Sequence, residues 1–190
     1  MDSEIRIREL ETEIDRLKKQ VFYDELTQVM NRRGFEKEAN PIFKNISFHQ
    51  KEHERRADFH DLAIIFLDID DFKKVNDIFG HQTGDIVLQE VAKVLVKIVR
   101  SNDIVGRWGG EELVVGLVGA SLDVAGKIAE RIREDIEKME VMYSNVKVPV
   151  TASIGVAGYS NEENLNELID KADRAMYAAK QQGKNRVVRA

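Results

Sequence analysis

Two carboxylates, Glu111 and Glu112, directly follow the glycine pair Gly109 and Gly110 and directly precede an apolar run. Acidic side chains beside a buried strand are costly unless a positive charge meets them. A glycine pair can form a tight turn that needs positive φ, and it leaves backbone N–H groups uncovered, so that a phosphate can approach. Carboxylates next to phosphate need a cation between them, usually Mg²⁺. The pattern predicts a hairpin that binds metal and phosphate, although a plain hairpin with exposed glutamates fits these few residues equally well.

A second acidic group, Asp68, Asp70 and Asp71, stands where another apolar run ends. Asp68 and Asp70 share one face if the strand continues. We expect Asp68 to be a metal ligand opposite Glu111 on a neighbouring hairpin. Asp70 or Asp71 has a second interpretation as the cap of a helix that starts at Phe72. The two interpretations are compatible if Asp71 caps and Asp68 ligates.

The helix that starts at Phe72 carries two lysines in its first turn. Lys73 and Lys74 can offer positive charge to a phosphate. Ordinary solvated lysines are the alternative, and the stronger one for Lys74. We expect this helix to end at glycine turns in 80–85.

The remaining elements follow from apolar runs and periodicities. Strands are predicted over 62–68, 104–108, 113–118, 150–157 and 187–189. Further helices are predicted from Arg33 to about Asn40–Pro41, and over 86–100, 122–139 and 164–182, whereas 44–60 is expected to be a loop with some helix. This order predicts an α+β fold with a mixed, largely antiparallel five-stranded sheet covered by helices, close to the split βαβ plan.

Residues 1–22 have a periodicity of their own. Apolar side chains recur at alternating spacings of three and four, at Ile7, Leu10, Ile14, Leu17 and Val21. Charged residues fill the positions between them, which is typical of a coiled-coil seam. We therefore predict an N-terminal helix over 1–22, the end of a dimeric coiled coil, and a second unit over 23–190. One amphipathic helix that packs on its own domain is the alternative.

Composition excludes several classes of protein. The net charge of −5 argues against a general nucleic-acid binder. The chain has no cysteine, so disulfides and thiolate metal sites are excluded. No apolar run approaches the ~20 residues that span a bilayer, and we expect a cytoplasmic protein or the cytosolic part of a larger membrane-anchored one. His49 and His53 have a spacing that can ligate zinc, but without a third ligand a solvated face is favoured.

Five ordered stretches resemble the GGDEF family of diguanylate cyclases. They are DELTQVMNRR (24–33), DIDDFKKVNDIFGHQTGDIVL (68–88), RWGGEEL (107–113), TASIGVA (151–157) and ADRAMYAAKQQGKNR (172–186). The resemblance implies a sheet like that of nucleotidyl cyclases and polymerase palms, with a ferredoxin-like core. Leu113 departs from the phenylalanine that usually ends the signature. We expect it to point into the core, so the change concerns packing more than catalysis.

The resemblance also implies the reaction, in which two GTP become cyclic di-GMP and two pyrophosphates. It implies metal contacts from Asp68, the backbone carbonyl of Ile69, and Glu111. Two Mg²⁺ per active site are expected, with Mn²⁺ as an alternative. Glu111 is also the candidate base for the 3′-hydroxyl, Glu112 organises the site, and Lys73 would steady charge in the transition state.

Matching positions imply how the substrate is held. The implied contacts are Phe72, Asn76, Asp85, Leu88, Gly109, Gly110, Lys180 and Lys184. Asn76 and Asp85 match positions that read guanine, since a carboxylate can accept from its N1–H and amine while an amide both donates and accepts. Lys180 and Lys184 match positions near the phosphates, and arginine is also common at the second.

A further motif precedes the signature. Arg100 and Asp103 stand at the spacing where the family carries RxxD, which forms an inhibitory site for the product. Arg131 matches a helix arginine that joins this site from the neighbouring domain. As a bare pattern RxxD has little specificity, so its position before the hairpin carries the prediction of product inhibition.

The reaction has consequences for assembly. Each domain holds one GTP, so two domains must face each other across a two-fold axis, and the heptad helix would join them in a homodimer. An upstream sensory or receiver domain is expected in the full protein. Two alternatives stay open, namely a non-catalytic module that binds GTP or cyclic di-GMP, and another nucleotide cyclase or oligonucleotide synthase on the same fold. Non-catalytic members have usually lost the acids that this sequence keeps.

Overall fold

The computed structural model describes the backbone of residues 2–51 and 61–190 and the side chains of residues 6–48 and 61–190. The side chains of His49 and His53 therefore lie outside the described residues. The helices of the described ranges are α1 (Asp2–Phe22), α2 (Arg32–Lys51), α3 (Phe72–Phe79), α4 (His81–Ile98), α5 (Leu122–Lys138) and α6 (Leu165–Gln181). The strands are β1 (Met30–Asn31), β2 (Leu62–Ile69), β3 (Ile104–Gly109), β4 (Glu112–Val118), β5 (Val141–Tyr143), β6 (Val146–Val148), β7 (Ala152–Gly158) and β8 (Val187–Arg189). Over these ranges, no helix is both long and apolar enough to cross a membrane.

A mixed six-stranded sheet has the order β1-β3-β4-β2-β7-β8. The inner pairs are antiparallel, and the edge strands β1 and β8 join their neighbours in parallel. The α+β prediction is confirmed, but the predicted count of five strands is one too low. The missing strand is β1, which has only two residues and so produces no alternating pattern.

The central strand β2 is buried along its whole length because helices cover both faces of the sheet. Ile65 and Leu67 point into a core shared with α3, α4 and α5. Ile64 and Phe66 point into the opposite core, shared with α2 and α6. Asp68 continues the second set, since alternate residues share a face. The acid therefore stands at the end of a buried strand, on the α6 side.

Helix α2 runs through Pro41 to Lys51 and does not end near Pro41 as predicted. Its buried face explains the difference. Apolar residues recur on that face at Phe35, Ala39, Phe43 and Ile46, and all four are buried. Packing of this face against the sheet sustains a helix that proline would otherwise disfavour by about 3 kcal/mol.

The predicted turn at 80–85 is confined to Gly80, which has a φ of 83° and separates α3 from α4. Helix α4 begins directly afterwards, five positions before the predicted Ile86. Gly84 lies inside this helix. Glycine suits the position because a Cβ there would collide with the side chain of Asn76. A separate hairpin of β5 and β6 was not predicted, and its two-residue turn has positive φ at Ser144 and Asn145.

Helix α1 is continuous, and its heptad side chains are 41–54% exposed. The stripe therefore does not pack on the domain. The C-terminal end of α1 is fixed to the start of α2. The Phe22 ring lies 4.2 Å from the Lys37 ammonium, and Asn31 donates to the Val21 carbonyl at 2.9 Å.

Candidate active site

The signature hairpin joins β3 to β4 through a two-residue turn, Gly110–Glu111. Among the described residues, Gly80, Gly119 and Gly183 are the glycines with positive φ. Gly109 and Gly110 therefore do not use the positive φ that a glycine pair permits. Gly110 instead faces open space, and a Cβ on Gly109 would lie 2.9 Å from a Glu112 carboxylate oxygen. What the glycines provide is an uncovered backbone beside the acids.

Arg107 holds this turn from the strand side. Its Nε and Nη2 donate to the Gly110 carbonyl at 3.0 and 2.7 Å. Its Nη1 donates to both carboxylate oxygens of Asp24 at 3.1 Å. Although burial raises the pKa of Asp24, hydrogen bonds from Thr27 and the Arg107 charge hold it below its usual value. Sequence reasoning gave neither residue a role, although both stand inside the quoted stretches.

The acids converge where β2 and β4 run side by side. Asp68 is the register partner of Glu112, so the two side chains share a face. The Ile69 N–H lies 3.4 Å from the Glu111 carbonyl, which places the turn beside the end of β2. Glu111 itself lies in the turn, one residue before β4 begins at Glu112 and two residues before the predicted strand start at Leu113. The predicted convergence of Asp68 and Glu111 is thus present.

This convergence disfavours negative charge. Burial, together with the nearby charges of Glu111 and Asp70, raises the pKa of Asp68, while a bond from Lys180 opposes that rise. Burial and the charge of Asp68 also raise the pKa of Glu112. A cation between the acids would relieve this repulsion.

The donors at this place are hard oxygens, namely carboxylates and the carbonyl of Ile69, which suit Mg²⁺. Among the described residues, no three histidine or acidic side chains already form a metal cage. Such a cage is not required where two carboxylates bind the cation and phosphate oxygens complete its coordination. The residues present therefore fit a divalent cation whose remaining ligands come from a phosphate group.

Asp70 and Asp71 differ from the predictions made for them. Asp71 occupies the N-cap position of α3, in a left-handed conformation with a φ of 53°, but its side chain makes no capping bond. It pairs instead with Lys74 and Lys184, both at 2.8 Å. These bonds lower the pKa of Asp71 to about 2. Asp70 does not cap either, because three donors from other segments occupy its carboxylate.

The predicted phosphate lysines lie at this same edge. Lys180, near the end of α6, reaches Asp68 at 2.7 Å, and Lys184 reaches Asp71 from the turn after α6. Lys73 is exposed in the first turn of α3. Lys180 and Lys184 are therefore brought to the acids, and each already neutralises one of them.

The predicted guanine contacts meet between α3 and α4. The Asn76 amide lies against Gly84, next to Asp85 in the chain. Asp85 is exposed, whereas Phe72 and Leu88 are 8% and 2% exposed and belong to the core beneath. The arrangement is a polar rim on an apolar floor. Such a rim can pair with the edge of a base.

The RxxD segment forms the connection from α4 to β3. Asp103 accepts from the backbone N–H groups of Arg100 at 2.8 Å and Val118 at 3.0 Å, one on each oxygen. Arg100 is exposed, as is Arg131 on α5. Asp103 thus has a structural role that the motif did not indicate, and the Arg100 side chain extends from a well-fixed turn.

The model of one protein family, described as the diguanylate cyclase GGDEF domain, matches residues 21–186. Diguanylate cyclase A of Treponema denticola is 46% identical over 127 residues, which are 66% of this chain and 34% of the relative. The crystal structure of the coiled coil and GGDEF domain of DgcB from Caulobacter crescentus, in complex with c-di-GMP, has a TM-score of 0.86 at 26% identity, covering 100% of this chain and 96% of that one. The active GGEEF domain of a diguanylate cyclase from Vibrio cholerae has a TM-score of 0.74 at 28% identity, covering 85% and 97%. The chain spans only 27–45% of the length of three curated relatives that it matches.

Proposed function

The chain belongs to the family of diguanylate cyclase GGDEF domains, and on that premise we propose that it condenses two GTP into cyclic di-GMP with release of two pyrophosphates. One observation carries the proposal. Asp68, Glu111 and Glu112 converge at neighbouring strand ends, with Lys180 on Asp68 at 2.7 Å. This is a place for a cation and a polyphosphate together. GTP as substrate places the domain on the cytoplasmic side of any membrane.

The metal contacts of the proposal are Asp68, the Ile69 carbonyl and Glu111. Two Mg²⁺, or Mn²⁺ in their place, would neutralise the triphosphate and acidify the attacking hydroxyl when bound. Glu111 accepts the proton of the 3′-hydroxyl. The freed oxygen bonds to the α-phosphorus of the second GTP as the bond to pyrophosphate breaks. Glu112, half-buried and paired in register with Asp68, keeps the acids in place.

The lysines supply the remaining charge. Lys180 and Lys184 exchange their carboxylate partners for phosphate oxygens when the nucleotide enters. Lys73, exposed at the start of α3, joins them where charge builds in the transition state. Phosphoryl transfer of this kind depends on positioning and charge rather than on covalent catalysis.

Guanine is read by Asn76 and Asp85, over the floor of Phe72 and Leu88. The exposed Asp85 carboxylate accepts from the N1–H and the amine, which adenine does not present together. Gly109 and Gly110 leave the backbone open toward the phosphates.

Product feedback is part of the proposal. Arg100 and Asp103, with Arg131 from a facing domain, bind cyclic di-GMP. Each Asp103 oxygen accepts one backbone bond and keeps a second lone pair for guanine. The DgcB structure, which contains c-di-GMP, supports a product site in this fold.

Identifying the products by mass tests the proposal against its alternatives. The protein is incubated with GTP, with ATP and with both, in Mg²⁺. Cyclic di-GMP from GTP alone is the expected result. An adenine-containing product would favour another cyclase or synthase, and binding of GTP without any product would favour the non-catalytic module.

A further inference from the structure

Asp70 is a buried carboxylate that the proposed reaction does not use. It lies just beyond the metal-binding end of β2 and is 7% exposed. Its Oδ2 accepts from the Thr151 hydroxyl at 2.7 Å and from the backbone N–H of Asn185 at 3.0 Å, while its Oδ1 accepts from the Ser153 hydroxyl at 2.7 Å. All three donors are neutral. The neighbouring lysines pair with Asp68 and Asp71 instead.

The segment that Asp70 holds has an unfavourable backbone. Gly183, Lys184 and Asn185 follow one another with φ of 111°, 64° and 45°. Residues other than glycine and asparagine rarely adopt this left-handed backbone conformation. Such a turn persists only if surrounding bonds fix it. Asp70 supplies one of these bonds, at the N–H of the last residue.

A second anchor comes from α5. The side-chain Oδ1 of Asn185 accepts from Arg133 Nη1 at 2.9 Å, and the side-chain Nδ2 of Asn185 donates to Glu137 Oε1 at 2.8 Å. Arg133 also pairs with Glu137 and Glu130, at 2.9 Å each. The turn is therefore held from two sides, by the end of β2 and by one face of α5.

This turn carries the phosphate lysines. Lys184 lies within it, and Lys180 lies one turn of α6 upstream, with the Gly183 N–H 3.3 Å from the Lys180 carbonyl. From the anchored turn, Lys184 reaches Asp71 at 2.8 Å. The Lys184 N–H is itself bonded to the Ala179 carbonyl at 3.1 Å, so loss of the Asn185 bond would loosen the backbone on the C-terminal side of Lys184.

We propose that Asp70 is a positioning residue. Together with the bonds of Asn185 to α5, it fixes the 183–185 turn so that Lys184 meets the triphosphate. This proposal rests on the proposed function, since it assigns Lys184 to phosphate. In this role Asp70 acts through its hydrogen bonds, and fixing the turn does not require its charge. The bonds from Thr151 and Asn185 need only an acceptor oxygen. The Ser153 hydroxyl can rotate so that it accepts from an amide N–H at the other position.

The role predicts opposite results for two substitutions. Asp70→Ala removes all three acceptor bonds, so affinity for a non-hydrolysable GTP analogue with Mg²⁺ should fall on the order of tenfold. Asp70→Asn is neutral but keeps an acceptor for Asn185 and Thr151, so its affinity should stay within about threefold of the wild type. If Asp70 were a metal ligand, Asp70→Asn would weaken binding as much as Asp70→Ala does.

A double-substitution cycle separates positioning from a general structural effect. Calorimetry would compare the wild type with Asp70→Ala, Lys184→Ala and the double variant, after melting curves establish that each is folded. If Asp70 acts through Lys184, the double variant should bind no more than about twofold more weakly than Lys184→Ala alone. Losses that multiply would overturn the proposal, as would unchanged binding in Asp70→Ala.

Asn185→Gly tests the anchored turn through its bonds to α5 if Asp70→Ala does not fold. Glycine keeps the backbone conformation and the N–H bonded to Asp70, but it loses both bonds to α5. Weaker analogue binding at unchanged kcat for bound substrate supports the anchored turn, and wild-type binding overturns it. A wild type that binds the analogue but forms no cyclic product would contradict the proposed function alone.

Discussion

At the level of single residues, the site combines acids that disfavour one another's charge with lysines that already neutralise them. Burial raises the pKa of Asp68, and Lys180 opposes that rise at 2.7 Å. The lysine stands where a metal ion would provide the same compensation. In the proposed reaction, nucleotide entry would exchange the partners of charges that the site already holds and need not move additional protein charges out of water.

The guanine assignment predicts the effect of Asp85→Ala. This substitution leaves the N–H edge of guanine without its acceptor. A hydrogen bond to a charged group contributes about 1.5–3 kcal/mol, so GTP affinity should fall by about tenfold or more. Calorimetry with GTP measures it. Asp170→Ala is the matched control, because it removes an exposed acid from α6, and equal affinity in Asp85→Ala and this control would reject the assignment.

The feedback assignment predicts the effect of Arg100→Ala. Asp103 fixes the connection from α4 to β3 through backbone bonds, so its removal would mix stability with binding. The Arg100 side chain is exposed and gives the cleaner test. The rate of the wild type should decay as cyclic di-GMP accumulates, and the decay should be weaker in Arg100→Ala. Identical inhibition curves for added cyclic di-GMP would exclude this site.

At the level of elements, an ion pair between Arg107 and Asp24 links the hairpin turn to the segment that follows α1. Arg107 and Asp24 have side chains that are 19% and 21% exposed. Removing one partner leaves the other uncompensated, so Asp24→Asn should cost about 1.5–3 kcal/mol of unfolding free energy at neutral pH. Urea denaturation measures the difference.

The pH dependence of that difference has a definite sign. The pKa of Asp24 is lowered below its ordinary value of 3.8 in the folded state. Its contribution is therefore complete above pH 3.8 and is lost as pH falls through the folded pKa. The stabilities of wild type and Asp24→Asn should converge in acid. A gap that stays constant down to pH 2 would show that Asp24 does not titrate with folding.

Most strands were predictable because their patterns are local. The runs 62–68 and 113–118 are buried and apolar, so the sequence defines β2 and β4 almost to the residue. The β5–β6 hairpin had a signal that was missed, since Asn145 is suited to a left-handed turn. Helix α2 extends past its predicted end because its apolar face continues on both sides of Pro41, and a proline alone does not show whether packing will sustain the helix.

The contacts that complete the site were not predictable from local pattern. The bonds of Asp70 to Thr151 and to Asn185 join residues 81 and 115 positions apart. Arg107 and Asp24 are 83 positions apart. No periodicity encodes such distances, so the family resemblance supplied the roles of Lys180 and Lys184. The acids themselves were found from chemistry, because a charge at a buried strand end needs a partner.

At the level of the whole molecule, the proposed reaction requires two sites that face each other. One GTP per domain supplies one 3′-hydroxyl and one α-phosphate. The cyclic product contains two phosphodiester bonds, so its formation needs two hydroxyls and two α-phosphates, and hence two domains. The exposed stripe on α1 provides a surface through which two copies can associate, with side chains that are 41–54% exposed in the single chain. The proposed function therefore predicts that activity is coupled to association.

Charge placed in this stripe should weaken association. In Leu10→Glu/Leu17→Glu, two carboxylates stand where burial without a partner is costly. This double variant should be more monomeric and less active per mole at low concentration, and it should recover partly at high concentration. Light scattering and activity are measured on one dilution series, after a phosphodiesterase has removed bound product. Activity per mole that is constant while the protein stays monomeric would contradict catalysis by two domains.

The most direct test of the account compares cyclic di-GMP formation by the wild type and by Glu111→Gln at saturating Mg²⁺. Glutamine keeps the size of the side chain and removes the charge that binds metal and accepts the proton. The account predicts cyclic di-GMP from the wild type and none above background from Glu111→Gln, with the same melting temperature for both. Equal turnover by the two proteins would contradict the central claim that Glu111 and Asp68 form the catalytic centre.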